Sequence, residues 1–465
     1  MVGLARLLLA ATPLYGHVRP LRQIASALRA AGHEVTLLAG TSVDTHLADR
    51  DSSTESTHLS GSDQLRTATR ARAGWRPSWV QGRDEILDTF VHPLQAQADV
   101  LTDLLSAGAP DGQFDAVVAD VSFLGVQPLL LSTSPDARPP MIGISVAPIM
   151  LPSEDCAPFG AALPPWQGRV GQGRNRQTEW LLRNGPLRIV QETLDATPSQ
   201  WGIGPDKINL FGAIAHFDRV FQLGLPELEY PRRELPPFVE FVGPLPATCS
   251  CGNRRHPALD DKFDSHRFDS HRFNSDKPVV HVTQGTLDNA DPSKLLLPAL
   301  KALAGEPVTV VASTGGATIR TPSPPAINGA DIHVLDFACY GWLLPRTDLM
   351  ITNGGYGGVQ LAARHGVPLI VAGDTQDKAE VAARVRWSGV GVNLHTGNPG
   401  VRRLRHAVRR VLSDRRYRQR AAAMAEAADR LGDPTQRIVR GILAAQIEKI
   451  TTTGNRVISK RPVRQ

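Results

Sequence analysis

The run Leu349-Met350-Ile351-Thr352-Asn353-Gly354-Gly355-Tyr356-Gly357-Gly358 decides the fold. Leu349 to Thr352 suits a strand buried on both faces, and Val359 to Gly366 reads as the helix that follows. Glycines at a strand-to-helix turn let the backbone approach a ligand closely. The helix beyond them offers unpaired N–H groups and a partial positive charge. That geometry suits a diphosphate. Tight packing writes the same letters, so the neighbouring chain has to arbitrate.

On either side the pattern recurs. Val279 to Val282 runs into Thr283-Gln284-Gly285-Thr286, and Val308 to Ala312 into Ser313-Thr314-Gly315-Gly316. Leu369 to Ala372 leads to the polar cluster Gly373-Asp374-Thr375-Gln376-Asp377-Lys378, which offers groups for sugar hydroxyls. Helical patterns separate these strands, as in a doubly wound parallel sheet whose strand ends converge on one crevice. Further on, Val401, Leu404, Val408, Val411 and Leu412 form an apolar stripe opposite Arg402, Arg403, Arg405, Arg409 and Arg410. That basic face reads as solvated surface.

The N-terminal half repeats the grammar. Ala5 to Ala11 reads as a strand, Thr12 to Pro20 as a loop, Leu21 to Ala31 as a helix stopped by Gly32, and Glu34 to Ala39 as a strand. Buried strands follow at Ala116 to Ala119 and Met141 to Val146, with polar or Pro/Gly-rich excursions at Val43 to Ala98 and Leu151 to Asn175. Proline-rich Pro226 to Pro246 reads as an extended connector. Phe263-Asp264-Ser265-His266-Arg267 recurs as Phe268-Asp269-Ser270-His271-Arg272 and imperfectly as Phe273-Asn274-Ser275-Asp276-Lys277. This reads as a tandem duplication in an exposed linker rather than a metal site at His266 and His271. The expected fold is therefore α/β, two doubly wound Rossmann-like domains facing across a cleft. Residues 1–240 form the first domain, 241–277 the linker, 278–430 the second domain, and 431–465 a C-terminal helix and basic tail.

Composition agrees with this division. A chain of 465 residues outgrows one core, and domains of roughly 150 to 250 residues are expected. The net charge of +6 is too mild to call for nucleic acid and suits an anionic small molecule. No apolar run reaches the roughly 18 residues of a membrane span. Leu7 to Ala11 after Arg6 is too short for a signal peptide and reads as a buried first strand. Cys156, Cys249, Cys251 and Cys339 show neither paired zinc spacing nor a disulfide framework, which fits a reducing, cytoplasmic setting.

Taken together, several segments resemble one family. They are Gly16-His17-Val18-Arg19-Pro20, Phe241-Val242-Gly243-Pro244-Leu245, Thr283-Gln284-Gly285-Thr286, Asp336-Phe337, Thr352 to Gln360 and Gly373 to Lys378. They resemble the large glycosyltransferase family that includes macrolide and plant secondary-metabolite enzymes, with the fold called GT-B. The resemblance spans nearly the whole chain. It implies that His17 is the general base on an acceptor hydroxyl and that Asp120 holds its imidazole in one tautomer. Without the family, His17 reads equally as a loop-packing residue and Asp120 as a helix cap. The resemblance puts the donor nucleotide sugar on Thr283, Gly285, Thr286, Asn353, Gly354, Gly355, Gly357, Gly358, Asp377 and Lys378. It sets Phe337 against the nucleobase, with Trp342 as fallback.

The chain also departs from the family pattern. Asn353 stands where a histidine often touches the diphosphate, Lys378 replaces a glutamine near the sugar, and Leu361 replaces an acid that grips the ribose. Asp49-Arg50-Asp51 spells the metal-binding string of other transferases but follows a polar loop, so no metal or other cofactor is expected. The reading is an inverting transfer of a hexose from a nucleoside-diphosphate sugar to a small lipophilic hydroxyl acceptor. UDP-glucose is the default donor and a dTDP-sugar the competitor. A nucleotide-sugar epimerase and a non-catalytic nucleotide-sugar-binding partner are the rivals. Dependence of nucleotide release on an added alcohol separates the first, and an intact His17 and Asp120 argue against the second.

Overall fold

The computed structural model describes residues 4–39, 56–58, 78–106, 113–196, 201–247, 277–286, 288–316 and 331–459. It contains two parallel sheets. The first has strands β1 (Arg6–Ala10), β2 (Glu34–Ala39), β3 (Ser56–His58), β4 (Ala116–Asp120), β5 (Met141–Ser145), β6 (Arg219–Gln222) and β7 (Val239–Phe241). Their order is β3-β2-β1-β4-β5-β6-β7. The second has β8 (Val279–Thr283), β9 (Thr309–Ser313), β10 (Asp331–Leu335), β11 (Leu349–Thr352), β12 (Leu369–Val371) and β13 (Gly391–Asn393), in the order β10-β9-β8-β11-β12-β13.

The central strands are apolar throughout because helices cover both faces. Leu7 and Leu9 enter one cluster with Val118 and Ile142, while Leu8 and Ala10 enter the opposite one with Val117 and Val220. Val280, Val282 and Ile351 likewise face one side of the second sheet, and Met350 the other. The last helix, Pro434–Ser459, returns to the first sheet. Its Ile438, Val439 and Ile442 join the cluster of Leu7 and Leu9.

Several sequence expectations are corrected. Helix Tyr15–Ala30 begins earlier than expected and takes in His17 and Pro20. Pro20 costs one backbone bond, but Leu21, Ile24, Ala25 and Leu28 bury a continuous face that carries the helix through. Pro226 to Pro246 is not a plain connector, since Val239–Phe241 within it is the edge strand of the first sheet. The polar excursion holds helices Ser78–Ile86 and Leu94–Leu105, and the Pro/Gly-rich one opens helix Gly168–Asn184. Cys156 is a buried free thiol, whereas Cys339 is disulfide-bonded. The tandem repeat, apart from Lys277, and Asp49 to Asp51 lie outside the described residues. Among the described residues no helix is long and apolar enough to cross a membrane.

Candidate active site

Each sheet reverses its winding once, between β1 and β4 in the first and between β8 and β11 in the second. A crevice opens at such a point, at the carboxyl ends of the strands. His17 stands in the first turn of the helix after β1, and Asp120 is the last residue of β4, which pairs with β1. His17 Nδ1 lies 2.7 Å from Asp120 Oδ2, with Asp120 fully buried and the His17 side chain 16% exposed. The Ser122 backbone N–H donates to Asp120 Oδ1 at 3.1 Å. A carboxylate on Nδ1 keeps the proton on that nitrogen and leaves the Nε2 lone pair available. Among the described residues Nε2 has no hydrogen-bond partner. The Phe90 ring lies beside the imidazole, centroids 6.2 Å apart.

The electrostatics reach across the two sheets. Burial opposes a charged imidazole, but the Asp120 charge and hydrogen bond outweigh it and Asp377 adds to them, so the His17 pKa is raised. Burial also pushes Asp120 up, but His17 overcomes this and holds its carboxyl below the usual range. Asp377 belongs to the other sheet, immediately before helix Lys378–Ser388. Burial raises its pKa, against the pull of Lys378 and His17. The histidine after β1 and the acid after β12 therefore lie close enough to feel each other's charge.

In the second crevice the glycines divide into two kinds. Gly354 has φ 94°, and a Cβ there would sit 2.7 Å from Val371 Cγ1. Gly315 has φ 66°, and its Cβ would overlap the Gly285 carbonyl, itself on a turn with φ 76°. These residues are glycine for conformation and packing. At Gly355 and Gly357 a Cβ would meet nothing within 4 Å, although they stand at the start of helix Tyr356–Arg364. Packing does not explain those two, and the open space leaves room for a ligand to approach the helix N-terminus.

Other expected donor residues are placed more variously. Thr283 is buried, its hydroxyl accepting from the Gly285 N–H at 3.2 Å, while Thr286 is exposed. The Asn353 amide donates to the Gln284 carbonyl and ties the turn after β11 to that after β8. Gly358 packs near Met350 and Tyr340. Phe337 is 60% exposed and lies over Gly316, whereas Trp342 packs with Val279, Val311 and Leu343. The open ring is thus Phe337. Lys378 is buried, with Nζ donating to Gln376 Oε1 at 2.6 Å and to Thr375 Oγ1 at 3.2 Å. Leu361 is buried in the cluster of Leu225, Leu228 and Leu344.

Sequence reasoning missed the bridges between the two halves. Gln376, at φ 53°, donates to Glu85 of helix Ser78–Ile86. Gln222 Nε2 donates to the Tyr356 hydroxyl at 2.7 Å, and Gln360 Oε1 accepts from the Leu225 N–H at 2.9 Å. Arg384 pairs with Glu229 and Glu380 in a buried cluster. The one sequence signal was an opposite-charge pair at i,i+4, Glu380 and Arg384, set among Val381, Ala382, Ala383 and Val385.

Comparison with known proteins bears on this arrangement. Residues 317–445 match the family described as "Erythromycin biosynthesis protein CIII-like, C-terminal domain". The chain is 37% identical to 4'-demethylrebeccamycin synthase of Lentzea aerocolonigenes, over 90% of this chain and 94% of that protein. It is 31% identical to UDP-glycosyltransferase 2 of Phaeomoniella chlamydospora, over 89% and 90%. Its fold is that of the glycosyltransferase of kitacinnamycin (TM-score 0.67, 19% identity, 96% and 100% coverage) and of a spinosyn rhamnosyltransferase (TM-score 0.60, 17%, 94% and 99%). The rival epimerase and non-catalytic partner are thereby set aside. With two facing crevices of this architecture and relatives so similar over nearly their full length, the chain belongs to the GT-B glycosyltransferase family of the UDP-glycosyltransferases and the macrolide-type enzymes.

Proposed function

We propose that the chain is an inverting, metal-independent hexosyltransferase acting on a small lipophilic hydroxyl acceptor such as a polyketide, flavonoid, sterol or glycolipid. The observation that carries this reading is the 2.7 Å His17–Asp120 contact, with Nε2 left without a hydrogen-bond partner among the described residues. His17 Nε2 takes the acceptor proton as the oxygen attacks the anomeric carbon. The nucleoside diphosphate leaves from the opposite face with the bonding electrons, onto the Gly354 to Gly358 backbone and Thr286. Asp377 meets sugar hydroxyls, while Lys378, Asn353 and Thr283 hold the turns in shape. Phe337 stacks on the base.

UDP-glucose is the default donor, supported by relatives named UDP-glucosyltransferase in Beauveria bassiana and Starmerella bombicola, each 29% identical. The case for a dTDP-sugar rested on Leu361, whose core packing weakens it. The compartment proposed is the cytoplasm, where nucleotide sugars are made. Incubation of lipophilic acceptors with UDP-glucose and dTDP-glucose, read by mass spectrometry and by the anomeric coupling of the product, tests the reading. A β-linked glucoside from an α-linked donor is expected. Retained anomeric configuration, or His17→Ala with wild-type turnover, overturns it.

A further inference from the structure

Helix Lys378–Ser388 begins at the turn that presents Asp377, and its buried face carries Glu380 and Arg384. Glu380 Oε1 accepts from the backbone N–H of Gly160 at 2.8 Å and of Ala162 at 2.6 Å. Its Oε2 accepts from Arg384 Nη1 at 2.6 Å. Arg384 Nε donates to Glu229 Oε1 at 2.7 Å, and its guanidinium lies 4.2 Å from the Tyr230 ring centroid. Glu229 Oε2 in turn accepts from the Ile149 N–H at 2.9 Å. Glu229, Glu380 and Arg384 are all buried.

The backbone partners of Glu380 lie in the other half of the molecule. Gly160 and Ala162 belong to the segment that leaves the carboxyl end of β5, the strand beside β4 and Asp120. Both have positive φ, 98° and 51°. Alanine adopts that conformation only where its surroundings hold it. Two N–H groups two residues apart converge on one carboxylate oxygen, as in backbone anion sites. A buried carboxylate held by one arginine alone would be poorly satisfied, and these amides complete its shell.

We propose that Glu380 is a positioning residue. Its carboxylate clamps the loop after β5, on the acceptor side of the cleft, to the helix that carries the donor-sugar turn. Acceptor pocket and donor sugar are thereby set in register by one side chain that touches neither. This role rests on the functional reading above, in which the acceptor sits at His17 and Asp377 meets the sugar; the β5 loop leaves the same sheet edge as Asp120 and His17 and so borders the acceptor.

The test uses the full chain and compares wild type, Glu380→Gln and Glu380→Ala. Amide hydrogen exchange over residues 158–163 and UDP affinity need no turnover; KM for acceptor and for UDP-glucose complete the set. In Glu380→Ala, exchange of the loop amides and the acceptor KM should each rise about tenfold, with UDP affinity unchanged. Glu380→Gln keeps an oxygen for the amides and should fall between. Unchanged loop exchange in Glu380→Ala overturns the clamp. So does a freed loop with an unaltered acceptor KM, or a parallel loss of UDP affinity that signals general loosening. Should Glu380→Ala fail to fold, Glu380→Gln carries the same comparison. A wild type inactive with every acceptor overturns the functional reading, and this role with it; failure of the clamp alone shows only in the variants.

Discussion

In the proposed mechanism His17 works through its two ring nitrogens, and each makes a different demand. Nδ1 needs a fixed carboxylate, and Asp120, fully buried at the end of β4, is held there by strand geometry. Nε2 needs an unprotonated lone pair at working pH. His17→Ala should lower kcat by about 10²- to 10⁴-fold while leaving UDP affinity intact, because the proposed donor site lies on the other sheet. Asp120→Asn makes a sharper test. Below its raised pKa the wild-type imidazole is charged and cannot accept a proton, so the rate falls as pH drops through that value. Asparagine removes the largest charge that raised it and leaves burial, which acts downward, opposed only by the smaller pull of Asp377. The acid limb of kcat/KM should therefore move to lower pH, while the plateau falls about a hundredfold or more as tautomer control is lost. A pH profile with an unmoved limb would show that another group titrates.

At the scale of elements, the turn from β11 into helix Tyr356–Arg364 makes opposite predictions for neighbouring glycines. Gly357→Ala meets open space and replaces a helical glycine. Urea unfolding should show equal or greater stability, by up to about 1 kcal/mol, while UDP affinity in calorimetry falls about tenfold or more. Gly354→Ala strains a positive φ and strikes Val371, so it should destabilise the fold itself. Equal UDP affinity in wild type and Gly357→Ala would remove the helix end from the donor site. The same turn shows what was legible in sequence. β1, β4, β5, β8, β9, β11 and β12 are buried on both faces along nearly their whole length, and β2 over Leu37 to Ala39, and so they are written as mostly apolar runs. β10, Asp-Ile-His-Val-Leu, and β13, Gly-Val-Asn, are the two edge strands of the second sheet and only partly buried, so neither stands out. Asn353 and Lys378 were readable as polar residues at strand ends. That their polar atoms are spent on Gln284, Gln376 and Thr375 depends on side-chain directions that spacing does not encode. Contacts such as Glu380 with Gly160 join segments 220 positions apart and leave no local trace.

For the whole molecule, the two halves are not independent beads, because the chain crosses back at its end. Helix Pro434–Ser459 follows the second domain in sequence but buries Ile438, Val439 and Ile442 in the core of the first sheet. Each such side chain is worth roughly 1.5 to 3 kcal/mol, and their sum is a large share of the stability of one domain. Arg437 reaches Glu240 of β7, and Lys449 the Pro135 carbonyl, so polar contacts follow the same path. The fit is tight at Gly441, where a Cβ would lie 2.3 Å from Phe221 Cζ and 3.2 Å from Arg219 Nη1. Gly441→Val should therefore lift the helix from β6 without touching the second sheet. Calorimetric melting should then separate into two transitions, the lower one belonging to the first-sheet half. UDP should still raise the midpoint of the upper transition, since a ligand stabilises only the unit that binds it. Transfer should fall with the lower transition, because His17 and Asp120 lie in the half that melts. A single transition, lowered as a unit and still raised by UDP, would mean that the cleft contacts of Arg384, Tyr356 and Gln360 couple the halves more strongly than the returning helix does.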